Sequence, residues 1–274
     1  MVNTKTQPVK LVRGFSLIEL IIVIIILGIM GISFAKITSN SVSGYIDGKD
    51  RNQLSQSAQW VNERISREIR EALPQSIRTS TNSGFHCVEF MPVTNASSYI
   101  DLPASGNITN INAVGFNLTT SSANFAAIMP INPTSIYSGV GVLGDVASIS
   151  TSGTDPNQAV IALAAPTNFD QRSPQNRFYL LSNPVSFCLN DSNGQIVRYA
   201  GYGITAVQQT PPNGGNQIGE NFSSTGNVFN YQPGSLSRSG LLQINLRLQN
   251  RNRALSGNEE SFEIFHEVHI RNVP

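Results

Sequence analysis

Arg13-Gly14-Phe15-Ser16-Leu17-Ile18-Glu19-Leu20 joins a basic leader to an apolar run that continues to Ala35 and holds one ionisable side chain, Glu19. The run from Phe15 to Ala35 has 21 residues. At about 1.5 Å of rise per residue, a helix of that length spans roughly the 30 Å hydrocarbon thickness of a bilayer. Lys5, Lys10 and Arg13 precede it, and no acidic residue occurs among the first 14. The positive-inside bias therefore keeps the amino terminus cytoplasmic and sends the rest outward. A carboxylate inside such a run costs on the order of a few kcal/mol at the bilayer centre and less near its edge, so Glu19 marks a functional position that calls for a cationic partner.

Gly14, Phe15, Ser16, Leu17, Ile18, Glu19 and Leu20 closely resemble the processing site of type IV prepilins and type II secretion pseudopilins. In that family a dedicated peptidase cuts after the glycine. The resemblance implies cleavage between Gly14 and Phe15, N-methylation of Phe15, and Glu19 as the fifth residue of the mature chain, attracting a neighbouring subunit's terminal amine. An amine and a carboxylate in a low-dielectric setting offset each other's desolvation only when closely paired, so this contact would set subunit register in a filament. Two other readings stand beside it. Ser33-Phe34-Ala35 satisfies the small-x-small rule of a secretory signal cleaved after Ala35, although the run exceeds a usual h-region. The run also suits an uncleaved anchor with Glu19 snorkelling to the interface.

After the membrane run, Leu54, Ala58, Val61, Ile65, Ile69 and Ala72 recur at spacings of four or three, an apolar stripe at helical period. The pairs Glu63/Arg67, Arg64/Glu68 and Arg67/Glu71 sit four apart with opposite charge on the other faces. Pro74 stops the helix. One helix from Phe15 to Leu73 would be near 88 Å long, by the ~1.5 Å rise, with residues 15–35 transmembrane and 36–73 amphipathic. Gly28, Gly31, Ser33 and the stretch from Ser39 to Gly44 are poor helix formers and mark its soft middle. The family's major pilins often carry a proline eight residues beyond the glycine matched by Gly28; Lys36 stands there instead.

Past Pro74 the pattern turns to β. Gly84 to Val93 reads as a strand, and Ala159–Ala164 and Phe178–Asn190 hold apolar runs bounded by turn residues. Helices are not evident. Asp191-Ser192-Asn193-Gly194 is a turn signal that makes Val185 to Gly203 a hairpin, with a calcium loop as the sharper alternative. Leu242, Ile244, Leu246 and Leu248 alternate, and so do Phe262, Ile264, His266, Val268 and Ile270, around a turn at 250–258; this is a closing hairpin. Segments around 94–155 and 206–237, rich in Asn, Ser, Thr, Gly and Pro, read as long loops with a few short strands. The expected fold is α+β and type IV pilin-like: a 1–14 leader that is removed, a 15–73 helix, and a largely antiparallel β head over 74–274.

The chain of 274 residues carries 18 basic and 17 acidic side chains, a net of +1. Removing the leader's three basic residues leaves 15 against 17, or −2, which points to no polyanionic partner. No lysine follows Lys49, and Asn, Ser, Thr and Gly supply polarity from Pro74 to Ser237 in place of charge. The two cysteines, Cys87 and Cys188, lie in apolar alternating contexts and face an oxidising compartment, so a disulfide between neighbouring strands is expected, with two buried free thiols as the alternative. Closing a loop of about 100 residues stabilises by roughly 4 to 5 kcal/mol on the chain-entropy model.

No Gly-rich phosphate loop, GxSxG, HExxH or cysteine-histidine cluster is present, so the sequence names no catalytic residue, no metal ligand and no cofactor. The histidines are His86, His266 and His269; the last two, three apart on a strand, point to opposite faces. Arg247, Arg251 and Arg253 form the densest basic cluster. A nucleic-acid patch is one reading of it; a charged hairpin tip balanced by Glu259 and Glu260 is the other, and no nucleic-acid partner is expected.

A closer resemblance is to MSHA (mannose-sensitive haemagglutinin) pilus minor pilins of the MshO type. It runs through Asp50-Arg51-Asn52-Gln53-Leu54, the stretch from Arg64 to Pro74, and the terminal stretch from His266 to Pro274. It implies a minor pilin in the bacterial inner membrane with a periplasmic head, later part of a surface pilus. The implied partners are other major and minor pilins, the prepilin peptidase and the inner-membrane assembly machinery. Two further readings remain: a J-type minor pseudopilin of type II secretion, and a pilus-borne adhesin whose loop-rich head holds a surface glycan or receptor.

Overall fold

The computed structural model describes residues 14–103, 106–116, 123–153, 155–235, 238–249 and 261–270. Helix α1 (Leu17–Arg70) runs unbroken. The chain divides into two compact units, Met1–Gln53 and Leu54–Pro274. In the first, every large apolar side chain from Phe15 to Phe34 is exposed. The stretch expected to be the soft middle is continuous helix; within it Ser33, Thr38 and Ser41 donate their hydroxyls to the carbonyls of Ile29, Phe34 and Ile37 at 3.1, 2.9 and 2.9 Å, the i−4 bonding that lets such side chains sit in a helix while weakening it slightly.

In the second unit, Leu54, Ala58, Val61, Ile65, Ile69 and Ala72 form one buried stripe. They pack against two sheets. The first, of five strands in the order β1-β2-β9-β10-β11, comprises β1 (Arg78–Asn82), β2 (Phe85–Phe90), β9 (Val185–Asn190), β10 (Gln195–Ala200) and β11 (Gly215–Gly219). The second joins β12 (Phe222–Ser223), β13 (Phe229–Gln232), β14 (Gly240–Gln249) and β15 (Ser261–Ile270). Val88, Phe90, Phe187 and Ile196 from the first sheet meet Phe222, Leu242, Ile244, Leu246 and Val268 from the second in the same core. Each fully buried side chain of this size contributes about 1.5–3 kcal/mol. Gly219 permits the approach: a Cβ there would lie 2.7 Å from Val61 Cγ2 and from Phe222 Cε2.

The helix ends before Pro74, which opens a single 3-10 turn, and Tyr231 of β13 donates to the Pro74 carbonyl at 2.8 Å. Burial pushes that phenol up to about 12. Of the charged pairs expected on α1, Arg64–Glu68 closes at 2.5 Å, and Glu68 also receives Arg198 Nε from β10 at 2.9 Å.

Between β2 and β9 the chain leaves the sheet to build a closed antiparallel barrel in the order β3-β4-β7-β6-β5-β8. Its strands are β3 (Val93–Asp101), β4 (Ile108–Val114), β5 (Phe125–Ile128), β6 (Leu143–Thr151), β7 (Gln158–Thr167) and β8 (Arg177–Leu181). The segment around 94–155, expected to be long loops with a few short strands, supplies four of the barrel strands, two of them nine residues long. Register shifts in β3, β4 and β6 reset the inside-outside alternation, so no continuous period of two survives in those three strands. A short helix, α2 (Pro133–Ser138), also departs from the expectation of none; Asn132 caps it by accepting from Ser135 N at 2.9 Å. The single strand expected over Gly84–Val93 divides into β2 and the start of β3 at Met91 and Pro92.

Candidate functional site

Gly14, Phe15 and Ser16 precede α1 and are exposed. The Ser16 carbonyl accepts Glu19 N at 3.1 Å and Leu20 N at 3.2 Å, so the helix begins directly after the Gly14–Phe15 junction. Glu19 therefore lies in its first turn, where the positive end of the helix dipole favours a carboxylate. Phe15 and Leu17 are each 77 % exposed. An uninterrupted apolar surface of this kind is unstable in water and marks a segment meant for lipid or for other apolar helices. By length and composition α1 suffices to cross a membrane.

Cys87 and Cys188 sit directly opposite one another on β2 and β9 and are joined by a disulfide, with Cα atoms 4.1 Å apart. Tyr199, Phe85, Val197 and Tyr202 enclose the bond. The turn after β9 gives the expected hairpin, since β9 and β10 pair from Asn190↔Gln195 to Val185↔Ala200. Asp191 in that turn is engaged by protein groups: Ser224 N donates to Oδ1 at 3.0 Å, Ser224 Oγ to Oδ2 at 2.7 Å, and His86 Nε2 lies 2.9 Å from Oδ2. The turn is thus a clasp between β2, the hairpin and the β12 segment, and a calcium loop does not fit it. Burial alone would raise the Asp191 carboxyl, but the hydrogen bonds from Ser224 and His86 outweigh it and hold the group below its ordinary value. Asp191 lies between Ser224 and His86, so this is not the serine–histidine–aspartate order of a hydrolase.

His266 is half-buried on the inward side of β15 and His269 is exposed on the outward side. Arg247 donates from Nη2 to Ser261 Oγ at 2.8 Å; Arg251, Arg253, Glu259 and Glu260 lie outside the described residues.

A buried ionic cluster escaped the sequence reading. Glu89 is fully buried; Arg78 Nε donates to its Oε2 and Tyr202 Oη to its Oε1, the latter at 2.9 Å. The Arg78 guanidinium lies 3.5 Å from the centroid of the Tyr137 ring and donates to the carbonyls of Ala206 and Thr205 at 2.7 and 2.8 Å. Burial, then the Glu89 charge, raises both phenols, Tyr137 and Tyr202. The cluster fastens the segment after β10 over the disulfide face of the sheet. Arg78 and Glu89 are cross-strand partners on β1 and β2, a relation visible only once the hairpin register is known.

The chain matches the prokaryotic N-terminal methylation motif over residues 10–35. No curated protein and no solved structure matches it. A methylation motif at the head of a long apolar helix, followed by an antiparallel β head, is an α+β architecture of type IV pilin kind. It supports a pilin-like or pseudopilin-like protein that is processed by a prepilin peptidase, is anchored by its helix and assembles with other pilins.

Proposed function

We propose that this protein is a minor pilin that helps initiate or assemble an MSHA-type pilus through helix–helix and head–head contacts. Residues 1–14 are removed, residues 15–35 lie in the inner membrane, and the rest faces the periplasm until the subunit enters the filament. The observation that carries the reading is Glu19 in the first turn of an exposed apolar helix, five residues into the chain that begins at Phe15. In lipid or in a filament core the apolar half of α1 is hidden from water, so transfer between the two is feasible on hydrophobic grounds. Glu19 then pairs with the terminal amine of a neighbour, which places this subunit beneath another and not at the outermost cap. The segments at 50–54, 64–74 and 266–274 support the MSHA assignment by resemblance.

Intact mass of the membrane-extracted protein, from cells with and without the prepilin peptidase, tests the processing. A start at methylated Phe15 that vanishes with the peptidase is expected; a start at Lys36 or an unprocessed chain overturns the reading. Glu19→Ala is expected to be cleaved and inserted normally yet to enter filaments at least tenfold less, as measured by immunoblot of sheared filaments. Normal incorporation rules out the assembly role.

A further inference from the structure

Strand β15 pairs with β14 residue for residue from Ile270↔Gly240 to Ser261↔Gln249, with no shift of register. Among the described residues no strand pairs with its other edge. Half of its backbone N–H and C=O groups therefore point away from the sheet. Edges of this length are ordinarily blunted by charged side chains, lysine above all, by proline, a bulge or a covering element; β15 has ten residues with no lysine, proline or register shift, and its acidic side chains, Glu263 and Glu267, both stand on the outward row.

Its side chains carry a second observation. On the inward row, Val268 and Ile270 are fully buried, whereas Phe262 and Ile264 pack on the same core but stay partly uncovered. On the outward row, Glu263 and Glu267 flank Phe265, which is 61 % exposed. The edge thus offers backbone that no described strand pairs, an unfinished apolar row beneath it, and an acidic–aromatic–acidic row above.

We propose that the free edge of β15 receives a β-strand of another polypeptide, with basic residues opposite Glu263 and Glu267, an apolar residue opposite Phe265, and apolar residues at the alternate, inward positions. Charge complementarity selects this occupant over a second copy. Two registers pair β15 with itself antiparallel over most of its length with matched faces. One sets Glu263 against Glu267, like charges directly opposite; the other sets Phe265 against Glu267 and gives Glu263 alone an imidazole, His269, opposite it, so neither meets both glutamates with a basic group. Backbone pairing supplies the affinity and the outward row the selection, as in strand addition generally. The surface lies in the head, apart from Glu19, and its failure in a test leaves the assembly reading untouched.

The test uses the full-length protein in detergent micelles and two labelled ten-residue peptides, followed by fluorescence anisotropy at low salt. The first peptide has lysine at its third and seventh positions, tyrosine at its fifth, and valine at its fourth and sixth. The second replaces both lysines with glutamate. The lysine peptide is expected to bind at least tenfold more tightly, and the doubly substituted Glu263→Lys/Glu267→Lys protein, altered only at exposed positions, to reverse that order. N-methylating alternate amides of the lysine peptide is expected to abolish binding. Absence of binding, equal binding of the two peptides, failure of the reversal, or survival of binding after N-methylation each overturns the proposal. So does self-association of the protein in sedimentation that the lysine peptide displaces, since the occupant would then be a second copy.

Discussion

At Glu89 a single side chain shows how far this head depends on polar satisfaction in its interior. The carboxylate is wholly buried and is engaged by the Arg78 guanidinium and the Tyr202 hydroxyl. Removing one partner of such a pair is far more costly than the pair is stabilising, because the remaining charge is stranded. Arg78→Met is expected to lower the unfolding free energy by about 3–5 kcal/mol in urea titrations, while the paired change Arg78→Met/Glu89→Leu recovers part of that loss. Asp191 gives a pH signature. Its folded carboxyl lies below the ordinary 3.8, so its contribution is complete above about pH 4 and fades as pH falls through the lower folded value. Thermal unfolding of Asp191→Asn followed between about pH 4 and pH 2 is expected to change less steeply than that of the unaltered protein. Glu19, by contrast, stands out in the sequence as a charge within an apolar run, and the structure adds its place in the first turn of α1.

Element by element, legibility followed periodicity. The stripe from Leu54 to Ile69 keeps its spacing along α1, and its members are buried together with Ala72 just past the helix end. The closing hairpin of β14 and β15 alternates without interruption and was equally plain. The barrel was hidden for the opposite reason. In β4 a register shift between Ile108 and Asn110 puts Ile108, Ile111 and Ala113 inside, a spacing of three and then two that matches neither template. With Asn and Thr at the outward positions, such a strand has the composition of a loop. Close approach of elements is likewise silent in a sequence: Gly219 falls in the segment read as a loop over 206–237, yet it sits where α1 meets β12. Gly219→Ala pushes a methyl group into Val61 and Phe222, and a loss of about 1–3 kcal/mol in denaturant unfolding is expected.

Over the whole molecule, the strongest covalent constraint is the bond between Cys87 and Cys188, separated by 101 residues in sequence. Replacing both by alanine is expected to cost roughly 2–5 kcal/mol, read as a lowered urea midpoint, with the hydrogen-bonded register of β2 and β9 otherwise retained. The partners of that bond can be named from the sequence because it holds two cysteines; what the bond encloses is legible only at β7 and β8, since the barrel strands before them carry no continuous period.

The enclosure has a mechanical meaning. The barrel leaves the sheet after β2 and returns into β9, above a cross-link that ties those two strands side by side. A pull applied between α1 and β15 passes from Cys87 to Cys188 through the sulfur bridge and leaves the barrel slack. Tension on a tethered subunit is thereby carried by the helix-backed sheets alone, and the barrel keeps its shape under a load that would otherwise draw it out like a thread.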